Sequence, residues 1–529
     1  MAASVREARE KGLTDERNRA FMEKGYPPGP TKARAKTLNF RDINTYQALH
    51  EEFGDCFMLP LGEVPLVVTR DPQHIRSLLG GAATETFPRP PNVIANIRIL
   101  FDRAQIALDG AEHQANKRML SDWLFSDGHN ALMSFPLQCI AADYLNRLEQ
   151  DCFLRGDVEA YHISELAAAD ISAALSFGRT YKALQTGRCP QLEALKRCDR
   201  IFLNRAMNKS WRETEPAHVT KEFNDSRDVI AQTFLNAVER LGDPATPRDH
   251  NILQHMLERN AGNRTPACPM GQVPTVNEAV SNMIGFLAGV GNTARMMTLG
   301  VEFAARYPEH QRNILAELHM VLDGKSPEAA REAAAKGLAV PGARIKELYV
   351  YDDVNRLNYT KCFMLECLRL YTPSTSVAPR AATEPSPLGG YTIPAETKVM
   401  CNIYGAHRHP KYWKDAERFD PMRFNEGKSN KIEDVRVRGF VEEGFVRFRA
   451  ARLSRRGRRL TRARASSPSA TAGTAASARP SRWSARSSAG PWPSACTTSR
   501  ARPATPTPSS TRSSPTRSSG SSRRRTACT

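Results

Sequence analysis

The sequence has no Cys-x-x-Cys pair and no long apolar run near its N-terminus. Its eleven cysteines are scattered and odd in number, which argues against a disulfide framework and favours a reduced, intracellular protein. The first thirty residues include five acidic side chains, so neither a signal peptide, a membrane anchor nor a transit peptide is predicted. The composition leaves the compartment unspecified.

The C-terminal segment, 451–529, lacks more than half of the amino-acid types. Residues 451–529 contain no Lys, His, Asp, Glu, Asn, Gln, Ile, Val, Phe, Tyr or Met. They hold 17 of the 75 basic residues, which leaves 58 basic against 56 acidic residues in 1–450. The net charge of +19 therefore belongs almost entirely to this segment. Such a composition cannot bury enough apolar surface to offset the entropy of ordering the chain.

Two interpretations of this segment stay open. One is a disordered basic tail, 447–529, that contacts RNA or an anionic lipid surface. The other is a misread frame of GC-rich DNA, because Arg, Ser, Ala, Pro, Thr and Gly all have GC-rich codons. The missing Lys, Asp and Gln favour the second. Only Trp483 and Trp492 could stack on bases, so no nucleic-acid partner is expected.

The rest of the chain reads as a polar segment, 1–25, followed by one large domain, 26–446. Apolar spacing predicts a helix-rich domain with a few short strands. The expected elements are two strands within 56–70, mostly helix over 73–240, a Pro/Gly/Asn-rich connection at 241–274, helices at 277–305, 309–323 and 353–371, an exposed Ala-rich insert at 324–344, and an extended stretch at 373–430.

One helix carries a charge pair that a distant arginine could complete. Glu366 and Arg369 are three residues apart and thus share a helix face. Alone, such a pair is usually an ordinary surface ion pair. Arg423 follows in the segment ERFDPMRF, and a second guanidinium would make a buried carboxylate tolerable. We therefore expect a buried triad.

Six short motifs around this pair occur in a specific order and spacing. They are Glu366-x-x-Arg369, Pro379-Arg380, Gly390-Tyr391-x-Ile393-Pro394, Asn402, His407-Arg408-x-Pro410 and Phe419-x-Pro421-x-Arg423-Phe424. Each motif is weak alone, but together they resemble the cytochrome P-450 superfamily of haem-thiolate monooxygenases. The resemblance implies a mainly α (α+β) fold, a helical domain with a small β-sheet subdomain, and a haem cofactor.

The resemblance also assigns roles to individual residues. It makes Glu366, Arg369 and Arg423 the structural ion-pair network behind the haem, and it places Arg380 and His407 at a haem propionate. Three further residues lie in the segment GAEHQANKRML. By the resemblance, His113, Lys117 and Arg118 stand where the family has a helix that meets the other propionate. Lys117 replaces a frequent arginine, which keeps the charge but loses the bidentate geometry.

The long apolar helix contains a segment similar to the oxygen-activation motif of the family. Ala288 and Gly289 match its Ala-Gly start, and Thr293 matches its second threonine. Gly291 stands in the place of the usual acid and Asn292 in that of the first threonine. An amide is no proton donor of useful acidity, so ordinary hydroxylation is in doubt and a peroxide-rearranging relative gains weight. Simple polar packing would explain Asn292 and Thr293 equally well.

The iron ligand of the family is missing. A loop of the form Phe-x-x-Gly-x-x-x-Cys-x-Gly should follow Phe424 by twenty to thirty residues, but no cysteine occurs between Cys401 and Cys496. Cys496 and Cys528 lack the loop. The thiolate is what drives the family's chemistry. We therefore expect a haem-dependent oxidoreductase on a lipophilic substrate, served by dioxygen and a redox partner, but weak haem retention and no turnover in the chain as translated.

A one-nucleotide frame slip predicts where the missing cysteine lies. If Leu453 is encoded CTG or TTG and Ser454 TCN, reading one nucleotide later gives TGT, a cysteine codon. The same shift can turn Arg449-Ala450 into a glycine codon four places earlier, which is the spacing of the family's loop. Translating the genomic or transcript sequence in all three frames tests this. A neighbouring frame without a Gly-x-x-x-Cys loop would refute it.

Overall fold

A computed structural model describes residues 16–434 with gaps at 41, 81–85, 125–126, 208–209, 242–250, 261–274, 339, 341–350 and 428–430. All described residues lie within one compact unit, Met1–Ala451. The unit is mainly helical with two small sheets, which confirms the predicted fold class. The predicted cysteine loop and the basic tail lie outside the described residues.

The helices occupy most of the described chain. They are α1 Glu16–Glu23, α2 Lys32–Thr37, α3 Ile43–Phe53, α4 Pro72–Leu79, α5 Pro91–Phe101, α6 Gly110–Leu124, α7 Asp127–Arg155, α8 Ala160–Phe177, α9 Ala183–Thr186, α10 Pro190–Met207, α11 Trp211–Thr214, α12 Ala217–Leu241, α13 Ile252–Asn260, α14 Val276–Ala288, α15 Val290–Arg306, α16 Pro308–Leu322, α17 Pro327–Ala335, α18 Tyr351–Arg356, α19 Asn358–Leu370 and α20 Ile403–Ala406. Short 3-10 turns lie at Gln105–Ala107, Pro421–Phe424 and Ile432–Asp434.

The strands join the two ends of the described chain. They are β1 Cys56–Leu59, β2 Leu66–Thr69, β3 Ser376–Ala381, β4 Ser386–Leu388, β5 Tyr391–Ile393 and β6 Lys398–Asn402. The main sheet has the order β1-β2-β6-β3, in which β2 and β6 pair in parallel, and β4 pairs with β5. The two strands predicted within 56–70 are thus present, and the stretch predicted to be extended, 373–430, supplies the other four. The largely buried, apolar strands β2 and β6 join the two regions in the main sheet.

The helical core is built around α8. Thirteen of the eighteen residues of α8 are buried, including Ala167, Ala169 and Ala173 with no exposed surface. Small side chains let neighbouring helices approach closely, and α8 packs against both α7 and α15. The result is one large apolar cluster that runs from Leu100 to Ala294. This cluster fixes α14 and α15 relative to the rest of the bundle.

Several predicted boundaries were wrong. The long helix expected at 277–305 is two helices, because the Gly289 N–H bonds the Phe286 carbonyl at 3.1 Å and interrupts the regular pattern. The helix expected at 353–371 is likewise divided, at Leu357. The connection at 241–274 contains α13, whose apolar face joins the core.

The Ala-rich insert was predicted to be exposed, and that prediction was also partly wrong. It contains α17, in which Ala330, Ala333 and Ala334 are buried. Ala330 and Ala334 pack against Ala316 of α16. Alanines four apart lie on one helix face, so the insert covers α16 with its small residues while its charged residues face solvent.

A buried carboxylate caps α19, the helix that carries Glu366. Leu357 precedes α19, and its apolar side chain cannot accept a hydrogen bond from the first N–H groups of the helix. Glu317 of α16 supplies the acceptor: its oxygens lie 2.6 Å from Tyr359 N and 2.9 Å from Thr360 N. The Thr360 hydroxyl donates to it at 2.8 Å. The cap therefore comes from another helix and fixes α19 against α16.

We expect Glu317→Ala to lower the free energy of unfolding by about 2 kcal/mol, because two buried backbone N–H groups lose their acceptor. Urea titration followed by circular dichroism measures the change. Glu332→Ala removes an exposed glutamate paired with Lys336 and serves as the control, for which no measurable change is expected. Equal effects of the two substitutions would contradict the capping role.

Candidate haem-binding site

The structure brings Glu366, Arg369 and Arg423 together. Glu366 and Arg369 have no exposed surface, and their side chains form two hydrogen bonds, Nε to Oε2 at 2.7 Å and Nη2 to Oε1 at 2.8 Å. Arg423 Nε lies 3.4 Å from Glu366 Oε1 as an ion pair. We call these three residues the acid network. Two guanidinium groups around one carboxylate offset the cost of burying its charge.

The acid network also fixes the chain that follows it. Glu366 Oε1 accepts the Asp420 N–H at 2.9 Å, and Arg369 Nη1 donates to the His407 carbonyl at 2.9 Å. Arg423 donates to the backbone carbonyls of Lys414 and, at 2.7 Å, Asp415. Three separate stretches of backbone thus depend on these side chains.

A cavity of about 320 Å³ collects several charged groups. Arg380 of β3 and His113 of α6 line it, together with Arg89 and Asp109. A β-bulge lies between Val377 and Arg380, and a bulge changes the direction of the following side chain. We call Arg89, His113, Lys117 and Arg380 the cation cluster. The sequence placed three of these four residues at the propionates of a haem.

The cation cluster is only partly neutralised. Asp109 Oδ1 lies 3.9 Å from Arg89 Nη2. Burial lowers the pKa of His113, and the charges of Arg89 and Lys117 lower it further. The Nε atoms of Arg89 and Arg380 are buried and have no hydrogen-bond partner among the described residues. The Nη atoms of Arg89 already donate to the Ile106 and Leu108 carbonyls, so the free donors are the two Nε–H groups. A buried guanidinium N–H without an acceptor favours a carboxylate ligand, so the acid-binding end of a haem site fits this cavity.

The remaining predicted propionate residues lie apart from the cavity lining. Arg118 is exposed and its Nε donates to the Gln114 carbonyl of its own helix at 3.3 Å. Lys117 is half-buried and acts on His113 through its charge. His407 is buried at the end of α20, where its carbonyl binds Arg369. The structure therefore groups Arg380 with His113 but not with His407 or Arg118.

The predicted oxygen-activation segment lies where α14 gives way to α15. Ala288 ends α14, and Gly289 separates the two helices. Asn292 and Thr293 are exposed, and the Thr293 hydroxyl donates to the Gly289 carbonyl at 3.4 Å. A Cβ atom on Gly291 would meet nothing within 4 Å. The segment thus presents two polar side chains to open space, as a site beside this helix requires.

A second, apolar cavity of about 130 Å³ adjoins the first. Its lining combines α14, α6 and the loop before α6: Ala104, Gln105, Ile106, Leu120, Asn282, Gly285 and Phe286. Gln105 and Ile106 line both cavities. Sequence reasoning missed Arg89, Gln105 and Asn282, although Arg89 between two prolines is a charged residue in an otherwise apolar stretch and could have been noticed.

The iron-binding end of such a site is not supplied by the described residues. Most described cysteines are buried, and burial raises the pKa of Cys362, Cys367 and Cys401 to about 12 each. These groups are thiols at neutral pH, whereas a metal ligand must be a thiolate. The acid-binding end therefore fits a haem, and the axial ligand has no candidate in the described part of the chain.

A helical domain with a small mixed sheet, a buried acid network and a cationic cavity beside a glycine-interrupted helix is the arrangement of the haem-thiolate proteins. The sequence matches the profile of the Cytochrome P450 family over residues 27–440. The chain belongs to the cytochrome P450 family. This confirms the resemblance that the six motifs predicted.

The relatives cover different shares of the chain. It is 29% identical to cytochrome P450 71AV8 of Cichorium intybus, over 33% of this chain and 34% of that protein. It is also 29% identical to a germacrene A hydroxylase of Saussurea costus, over 71% and 72%. The chain thus spans about a third of the first relative's length. A solved zebrafish cytochrome P450 structure with progesterone shares the fold, with a TM-score of 0.56, 20% identity and coverage of 73% and 85%.

Within the described residues, the helices are all too short or too polar to cross a membrane.

We expect Glu366→Ala to lower the free energy of unfolding by about 3–5 kcal/mol, because it leaves the buried Arg369 guanidinium without its carboxylate. Urea titration of the full chain measures this. The matched control is Glu302→Ala, which breaks a Glu–Arg pair on a helix surface, with Arg306 at 2.7 Å, and should change the free energy by less than about 1 kcal/mol. A small effect at Glu366 would mean that the network is dispensable.

Proposed function

We propose that this chain, read in the correct frame, is a haem-dependent monooxygenase that acts on a lipophilic organic substrate. The observation that carries the proposal is the cation cluster, in which the buried Nε atoms of Arg89 and Arg380 have no hydrogen-bond partner in the described part of the chain. In this proposal Arg380 and His113 hold the carboxylates of a haem, and the acid network keeps the chain behind it in place. When bound, a haem supplies oxygen-transfer chemistry using dioxygen and electrons from a redox partner.

The relatives support the substrate class. One is named a germacrene A hydroxylase and another an amorpha-4,11-diene 12-monooxygenase, which are names for oxidation of terpenoid hydrocarbons. The small cavity beside α14 has Phe286, Leu120 and Ile106 in its lining, and apolar side chains of this kind line the sites of lipophilic ligands. We propose a lipophilic substrate and a reductase- or ferredoxin-type electron donor for an intracellular protein.

The chain as translated is proposed to be inactive. Residues 26–446 form the cytochrome P450 domain, which we propose is incomplete at its C-terminus, and 447–529 are the product of a shifted frame. Without a cysteine between Cys401 and Cys496, the sulfur that the chemistry depends on is missing.

A second candidate function rests on Gly291 and Asn292. The exposed Asn292 amide is a poor source of protons, so this segment supports rearrangement of a peroxide, which brings its own oxygen, as well as it supports activation of dioxygen. The alternative of a basic tail, 447–529, that binds RNA or a membrane surface lies outside the described residues and stays a prediction.

A carbon monoxide difference spectrum tests the main proposal. We expect no thiolate-type Soret band from the purified chain as translated, because it lacks the sulfur ligand, and a clear band from the frame-restored chain with its cysteine loop. A thiolate band from the chain as translated would contradict the frame hypothesis. The absence of any band from the restored chain would overturn the function. Turnover of a hydroperoxide without reductase would favour the second candidate.

A further inference from the structure

A short loop separates the two cavities. It runs from Asp102 to Asp109 and contains the 3-10 turn Gln105–Ala107. Gln105 and Ile106 contribute to the lining of both cavities. The loop is therefore a wall with a charged cavity on one side and an apolar one on the other, and its position sets the size of each.

A buried amide on α14 holds this wall. Asn282 is 3% exposed, and its Oδ1 accepts the Gln105 N–H at 2.9 Å. Its Nδ2 donates to the Glu278 carbonyl one turn earlier at 2.9 Å, which fixes the direction of the amide. Because both polar ends of Asn282 have partners, the side chain has one orientation, and Gln105 has one position relative to α14.

The other anchors of the loop come from different directions. Arg89 donates to the carbonyls of Ile106 and Leu108, and Arg98 Nε donates to the Ala107 carbonyl at 3.2 Å. Arg103 pairs with Glu278 of α14 at 2.8 Å, but its side chain is 43% exposed, so this contact is weak. Asn282 is thus the buried polar contact between α14 and the loop among the described residues.

We propose that Asn282 is a positioning residue that sets ligand selectivity in the apolar cavity. Its hydrogen bond keeps the Gln105–Ile106 wall against α14 and keeps the cavity compact. The inference rests on the proposed function, since it takes the apolar cavity as the place where a lipophilic ligand binds. Loss of the hydrogen bond frees the wall to move toward the charged cavity, which admits bulkier ligands.

Hydrogen exchange of the Gln105 amide tests the positioning step. In the full chain, Asn282→Leu should raise the exchange rate of the peptide containing Gln105 by about five-fold, the effect of losing one ordinary hydrogen bond. Asn282→Asp keeps an accepting oxygen and should retain most of the protection. Asn313→Leu is the matched control: it removes a helix amide that donates to the Tyr359 hydroxyl at 3.0 Å, away from both cavities.

Equilibrium dialysis tests selectivity with two neutral probes on the scale of a cavity of about 130 Å³, indole as the smaller ligand and camphor as the bulkier one. We expect the wild-type chain to prefer indole, and the ratio of the camphor dissociation constant to the indole dissociation constant to fall about five-fold in Asn282→Leu. The ratio should stay unchanged in Asn313→Leu and largely recover in Asn282→Asp. A role in stability alone would weaken both probes equally and leave the ratio unchanged.

The outcomes separate this inference from the proposed function. Unchanged Gln105 exchange or an unchanged ratio in Asn282→Leu overturns the role of Asn282, whatever the haem spectrum of the frame-restored chain shows. If the wild-type chain binds neither probe, the inference also fails, while the spectrum still decides the function independently. The inference is supported if Asn282→Leu speeds exchange of the Gln105 amide and lowers the ratio of dissociation constants, and if Asn282→Asp largely restores both.

Discussion

Burying the Glu366 carboxylate is possible only because Arg369 binds it through two hydrogen bonds and Arg423 adds a second positive charge. The same groups then bind backbone: Asp420 N–H on the carboxylate and the carbonyls of His407 and Asp415 on the guanidiniums. An extended segment with little regular structure has few hydrogen bonds of its own, so it takes its shape from charged side chains. The stretch from 407 to 424 is ordered around one buried charge.

The sequence predicted features that depend on neighbouring residues or on pairs of opposite charges. The strands within 56–70 follow from two short apolar runs, and the pairing of Glu366 with Arg369 follows from helix spacing; the structure has both. The break at Gly289 could not be predicted from the sequence, because glycine occurs both within continuous helices and where a helix ends. The burial of α17 escaped prediction for a similar reason: alanine is neutral between surface and core, and only contact with Ala316 decides.

The charged residues of the candidate site could be predicted from the sequence, but the side chains that hydrogen-bond to its backbone could not. His113 and Arg380 were found through the motifs that surround them, and a cavity brings them together. Arg89 binds carbonyl groups of a loop that follows it by fewer than twenty residues, and Asn282 binds an amide of the same loop from far away in the sequence. Such hydrogen bonds depend on the path of the backbone and not on the side chains of the loop, so no spacing of residue types predicts them. Arg118 and His407 do not belong to the lining of that cavity, and their contact with a haem propionate stays a prediction.

The parallel pairing of β2 with β6 has a consequence for biosynthesis. Leu66 aligns with Lys398 and Thr69 with Cys401, so one edge of the β1-β2 hairpin has no sheet partner until more than three hundred further residues have left the ribosome. During that interval an apolar strand edge is available to other chains, which is a known route to aggregation. The edge of β2 is therefore covered only late in synthesis, because a contact so distant in sequence forms late.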